Sequence, residues 1–181
     1  MNYGKSVLLL AAISLSAMPL GAQDSERHKE PERKFRAELK GRNEVPLVLS
    51  AARGTLSLEV NEADTSVHFV LEYSGLETTV LFAHIHVAQP NVNGAVTVFF
   101  CGGGGRPACP QNGTVEGDFG ASNVLPIVTQ QLEAANLAKL LEAIRAGKTY
   151  ANVHSTTSPG GEIRGQIHDD DKDKGKDKDK D

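Results

Sequence analysis

The chain has 181 residues, 19 basic and 23 acidic side chains and a formal net charge of −4. That balance, with no basic patch interleaved with aromatics, argues against a nucleic-acid-binding surface. Six Phe, three Tyr and no Trp leave too few rings for a platform that stacks sugars or bases.

Lys5 precedes an apolar stretch from Ser6 to Leu20, and Gly21-Ala22 supplies small residues just before a polar segment. This reads as a cleavable secretory signal over residues 1–22, because the apolar run is shorter than the roughly 20 residues needed to span a bilayer. After cleavage no membrane insertion is expected, and the compartment is secreted or periplasmic. Residues 23–34 are charged and read as a linker. Residues 35–168 are long enough for one domain with a sizeable core.

Within that span, residues 35–39, 54–60 and 67–73 alternate apolar and polar side chains between Gly, Asn and Asp turn signals, as half-buried strands do. Residues 80–87, 95–101, 114–119, 149–155 and 162–168 continue the pattern. About eight short strands with regular turns predict an all-β fold, an antiparallel β-sandwich of Greek-key type. One segment differs: Leu137, Leu140, Leu141 and Ile144 recur at helical spacing, with Asn136 as N-cap and Gly147 as stop, which predicts one short helix packed over the sheets. Residues 169–181 carry only Asp, Lys and Gly, so they have nothing to bury and read as a disordered, solvated tail.

The only two cysteines, Cys101 and Cys109, bracket Gly102-Gly103-Gly104-Gly105-Arg106-Pro107-Ala108. Four glycines lose much backbone entropy on ordering, and a cross-link would hold them, so a disulfide is predicted; the spacing is not that of a redox Cys-x-x-Cys.

His84-Ile85-His86 carries the chemistry. Side chains alternate across a strand, so both imidazoles leave the same face. If the strand of His154 lies beside or across from it, three neutral imidazoles converge on one borderline ion, Cu or Zn, with Asn152, Glu162 and Arg164 supporting them. The same residues also fit a purely structural hydrogen-bonded network tying distant strands together. His68, in an apolar strand, reads as a surface or satisfied histidine, and His28 and His168 lie at the margins. Glu44, before Val45-Pro46, is either a recognition carboxylate or a turn device. Ser155 beside His154 faces the other way in a strand, with no acid placed to complete a hydrolytic triad.

Asn43-Glu44-Val45-Pro46, Ala83-His84-Ile85-His86, Asn93-Gly94, Ala146-Gly147, Tyr150-Ala151-Asn152-Val153-His154 and Gly160-Gly161-Glu162-Ile163-Arg164-Gly165-Gln166, in this order, resemble the CHRD domain first described in chordin. The departures are small: Ala151 stands where Val is common and Ser155 where Thr is common. The resemblance implies an extracellular β-rich domain; it implies no growth-factor antagonism, because the cysteine-rich modules that bind growth factors in chordin are absent. His-x-His plus a distant strand histidine is also geometrically similar to the copper site of Cu/Zn superoxide dismutase, without that enzyme's bridging His and Asp.

Three functions follow as expectations. The first is an exported binding module for a metal ion or an unknown extracellular partner. The second is a copper metalloenzyme with dismutase-like redox chemistry, and the third an extracellular structural or surface protein.

Overall fold

The computed structural model describes residues 33–170 together with Met1; the expected signal and most of the linker and tail lie outside the described residues. Among the described residues nine strands and one α-helix follow in chain order: β1 (Lys34–Lys40), β2 (Arg53–Val60), β3 (Ser66–Ser74), β4 (Val80–Val87), β5 (Ala95–Cys101), β6 (Gly113–Gly120), α1 (Leu137–Arg145), β7 (Thr149–Ser155), β8 (Ile163–Gln166) and β9 (His168–Asp169). The fold is all-β and antiparallel throughout, as the alternation predicts.

The strands form one sheet in the order β5-β4-β7-β8-β1-β2-β3-β6, with β9 added beside β1. Only one register pair, Lys40 with Arg164, joins β8 to β1. The sheet therefore bends at that seam into two four-stranded layers, a first of β1-β2-β3-β6 and a second of β5-β4-β7-β8, that face each other across the core and nearly close into a barrel. Phe69 of β3 bridges them at the open side, its ring centroid 4.7 Å from Phe100 of β5 and 6.4 Å from Phe119 of β6. In the first layer Leu56, Leu58 and Val60 alternate with outward Thr55, Ser57 and Glu59. In the second, Ala83, Ile85, Val98, Phe100, Ala151, Val153 and Ile163 form the inner face, all 1% exposed or less.

The helix forms where expected. Asn136 Oδ1 accepts from the Lys139 backbone N–H at 3.0 Å, and Leu137, Leu140, Leu141 and Ile144 are buried. Gly147 follows at φ 66°, a conformation that suits glycine at a helix end.

The last predicted strand, 162–168, differs in detail. It breaks at Ile167, whose N–H still bonds Thr149 O of the second layer at 2.9 Å while the next residue, His168, pairs with Arg36 of the first. The chain changes layers there, with Ile167 fully buried at the crossing. His168 is thus part of the sheet rather than of a margin, and Asp169, expected in the tail, pairs with Phe35.

The disulfide is present, linking Cys101 to Cys109. The loop it closes runs from β5 to β6 across the open side, and the hydroxyl of Tyr73 donates to Pro110 O at 2.6 Å while Gln111 Nε2 donates to Thr78 O at 2.8 Å. Asn112, the glycosylation-type Asn-Gly-Thr residue, accepts from Gly75 N at 3.1 Å. Replacing both cysteines by Ser is expected to lower stability by about 2.5 kcal/mol through unfolded-state entropy. Chemical denaturation under non-reducing conditions measures it; an unchanged midpoint would show that the loop is held by its hydrogen bonds alone. Among the described residues no helix is long and apolar enough to cross a membrane.

Candidate metal centre

The residues of interest lie on the face of the second layer that points away from the core. Alternation sends Phe82, His84 and His86 of β4 outward together, opposite to Ala83 and Ile85. On the neighbouring β7 the outward set is Tyr150, Asn152 and His154, and the antiparallel register sets Phe82 against His154, His84 against Asn152 and His86 against Tyr150. On the other side β5 sets Phe99 against His84. His84 is therefore the middle of a patch, with His86 along its own strand and His154 diagonally across.

An outer face of a sandwich normally meets water, yet His84, His86 and His154 are only 3%, 8% and 5% exposed. Loops supply the cover. His86 Nδ1 lies 2.9 Å from Gly94 O in the β4–β5 loop, and His154 Nδ1 lies 2.9 Å from Pro159 O in the β7–β8 loop. A carbonyl only accepts, so His154 Nδ1 carries the proton and its Nε2 is left with a lone pair, the usual preparation of a ligating histidine, whereas His86 faces an acceptor oxygen at both ring nitrogens, Gly94 O and Asn152 Oδ1.

One nitrogen from each of the three histidines lies within 4.8 Å of the other two, and no Cys, Asp or Glu joins the group among the described residues. Two nitrogens on one zinc ion at the usual bond length lie roughly 3.4 Å apart, so modest rotations of the rings would close the site. His84 Nδ1 and His154 Nε2 are buried and have no hydrogen-bond partner among the described residues. The third histidine is partnered at both nitrogens: His86 Nε2 lies 3.1 Å from Asn152 Oδ1.

All three imidazoles are held neutral. Burial, reinforced by the repulsion that protonated His86 and His154 would exert on a protonated neighbour, pushes His84 down to about 2, and burial pushes His86 down to about 4. His154 is lowered too, again by burial. Neutral imidazole is the form that binds a metal, so the protein has already met the cost of deprotonation.

The strings that carry the family resemblance meet around this patch. Asn93 Nδ2 donates to Val45 O at 2.8 Å, and Asn43 Nδ2 to Arg164 O at 3.0 Å. Arg164 is buried; its guanidinium lies 3.4 Å over the Tyr150 ring and donates to Asn93 Oδ1 at 3.1 Å and Val92 O at 2.8 Å. Tyr150 in turn stacks on His86, with centroids 4.5 Å apart and planes 6° off parallel. Arg164 thus supports the histidines through Tyr150, not by direct contact.

Asn152 touches His86 as expected, but Glu162 does not reach the histidines. Its carboxylate accepts from Ser155 Oγ, from Ser50 Oγ at 2.7 Å and from Glu77 N at 3.2 Å. The reason is positional: Glu162 precedes β8, and its backbone N–H bonds Val153 O, which turns its side chain toward Ser155 and not toward the outward patch. Ser155 donates its hydroxyl to Glu162, so an acid that the sequence reading did not place there lies beside it. His68 lies on the exposed outer face of the first layer, between Glu116 and Asp118 at 3.4 Å and 3.2 Å.

Glu44 plays a larger part than its sequence context suggests. It makes a turn bond, N–H to Gly41 O at 3.0 Å, but its carboxyl is buried, with Oε1 unpartnered among the described residues. Burial pushes it up to about 7 against the pull of Arg164 and a hydrogen bond from Asn152. Gly161 makes this room: a Cβ there would lie 2.4 Å from Glu44 Oε1 and 2.8 Å from Asn152 Nδ2, and its φ of 125° also suits glycine. The aromatic neighbours Phe82 and Phe99 were beyond spacing arguments. For Glu44 and Tyr150 the signal available was their place inside the strings Asn43-Glu44-Val45-Pro46 and Tyr150-Ala151-Asn152-Val153-His154.

Compared with known proteins, the chain matches the family model of the CHRD domain over residues 35–167. No curated protein matches, and no solved structure matches. Because the match covers nearly the whole described fold and its signature residues assemble one buried patch, this chain belongs to the CHRD-domain family.

Proposed function

We propose that this chain is an exported CHRD-domain module that holds one Cu or Zn ion through His84, His86 and His154. The observation that carries the reading is the convergence of three buried, neutral imidazoles, two of which keep a buried nitrogen without a partner among the described residues. Burying polar nitrogens without partners costs roughly 1–3 kcal/mol each, and a bound ion removes that cost. Imidazole sets of this kind suit copper and zinc.

Holding is favoured over dismutase-like turnover because each histidine is covered by loops and rings. Export is supported by the Lys5-led apolar leader of the sequence and by the disulfide, which persists in oxidising compartments.

The test is elemental analysis of untagged protein followed by copper and zinc titration of wild type and of His84→Ala/His86→Ala. One ion per chain is expected for wild type, with a stabilisation of about 2.7 kcal/mol when free metal is a hundredfold above its dissociation constant. The double variant should bind none at the same concentrations. Folded wild-type protein that takes up neither metal in the low micromolar range would leave the histidines a structural network.

A further inference from the structure

The surroundings of the three histidines bear on which ion they hold, and this step rests on the metal-binding reading above. Phe82 stacks on His84 at 5.6 Å, 18° from parallel, and lies 4.9 Å from His154. Phe99 meets His84 edge-on at 5.0 Å. Two sides of the patch are therefore aromatic ring, a surface that offers an ion no further ligand.

Phe99 is held in place from behind. A Cβ on Gly103 would lie 2.5 Å from its ring and one on Gly104 2.9 Å, so only the bare backbone of those glycines lets the loop press against it. The Cys101–Cys109 bridge closes that loop, and Gly102 N–H to Pro107 O at 2.7 Å ties it internally. The glycine run that reads as an entropic burden in the sequence is the clamp on this ring.

The ligand set is also uncharged. The group contains three histidines and no carboxylate or thiolate among the described residues. The oxygen lying 3.1 Å from His86 Nε2 belongs to the neutral amide of Asn152, a carbonyl type that suits harder ions than copper or zinc. The cost of taking an ion out of water rises with the square of its charge, so a divalent ion on these buried, uncharged ligands is penalised about four times as heavily as a monovalent one of the same size. Zinc moreover completes four-coordination with a water or a fourth side chain, and Cu(II) takes tetragonal sites with more ligands still.

We infer that the centre is a three-coordinate Cu(I) site, in which Phe82 and Phe99 set specificity by withholding a fourth ligand. A monovalent closed-shell ion is content with three nitrogens, adds only one positive charge and needs no bound water. The inference concerns equilibrium preference for copper supplied as Cu(I); it involves no electron transfer by the protein.

The test uses untagged full-chain protein with its disulfide intact, under anaerobic conditions, with Cu(I) delivered in competition with the chromogenic chelator bicinchoninate and with Zn(II) titrated separately. Cu(I) is expected to bind one per chain and to bind at least about tenfold more tightly than Zn(II). X-ray absorption of the copper-loaded wild type should show three nitrogen neighbours without a fourth oxygen. In Phe82→Ala and Phe99→Ala the Zn(II) affinity should rise by about tenfold or more relative to Cu(I), as water gains a coordination position. Should a variant fail to fold, the wild-type coordination number decides alone. Tighter Zn(II) than Cu(I), or a four-coordinate wild-type site with a bound water, would overturn the inference while leaving the metal-binding reading intact; binding of neither ion would remove both.

Discussion

Arg164→Leu is expected to lower the stability of the fold by about 3–5 kcal/mol at neutral pH, the sum of about 1.5–3 kcal/mol for hydrogen bonds from a charged donor and about 2 kcal/mol for a desolvated cation–ring stack. The side chain is among the largest fully buried ones, 2% exposed for the residue as a whole. Its loss leaves Val92 O and Asn93 Oδ1 without their donors and strips the stack from Tyr150. It also leaves Glu44 in a buried place without the guanidinium whose charge draws its carboxyl toward ionisation. Chemical denaturation measures the loss, and Glu44→Gln added to Arg164→Leu should recover part of it, because the second change removes the stranded acid. A cost below about 1 kcal/mol, as for an exposed ion pair, would show that the stack and its partners do not hold the patch together. Arg164→Lys should not rescue fully, since an ammonium cannot make the flat stack or the forked hydrogen bonds.

Acidification from pH 7.5 to 4.5 is expected to destabilise the metal-free protein by about 2 to 3 kcal/mol, on the scale of 1.36 kcal/mol per unit of pKa shift. His84 and His86 sit at about 2 and about 4 in the folded state against 6.5 unfolded. Their folded values are depressed, so the unfolded chain binds more protons below 6.5, and stability is lost as pH falls from there toward the folded values. Together they cost about 5 kcal/mol by pH 4.5. Glu44 acts in the opposite sense: raised from 4.5 to about 7, it favours the folded state as pH falls through about 7, a gain of nearly 3 kcal/mol. His154, lowered by burial, adds to the loss. Asp64 and Glu133, held low by hydrogen bonds from Arg145 and Lys139, act only as pH falls into the ordinary carboxylate range. Thermal unfolding across this range tests the sign, and Glu44→Gln should steepen the dependence by removing the offset. A metal-free protein whose stability is flat or rises toward pH 4.5 would contradict the burial of neutral histidines.

These expectations rest on features of unequal legibility. His84 and His86 were readable as a pair because strand alternation requires it whatever the neighbours are, and β4 forms over 80–87 as its apolar pattern predicts. That His154 joins them depends on β7 lying beside β4 in a register that sets Phe82 against His154. A pairing between strands some sixty residues apart is a choice among many that local pattern leaves open. Glu162 shows the opposite failure. Its nearness in sequence to Arg164 suggested a shared role, but it precedes the paired part of β8 and bonds Ser50 and Ser155.

Composition and periodicity by themselves determined the all-β class, the positions of the strands up to β7, the helix from Leu137 to Arg145 and the disulfide, because each follows from local backbone preference or from the only pairing two cysteines allow. The tertiary structure alone decided that the outward face of the second layer is covered. Three loops, carrying Glu44, Gly94 and Pro159, fold over it and convert what alternation marks as a solvent-facing row into a buried one. The physical reason is that burial belongs to the assembled layers and loops, not to any one strand. It is burial that holds the histidines neutral, makes their spare nitrogens costly without an ion, and lifts Glu44 out of the ordinary carboxylate range.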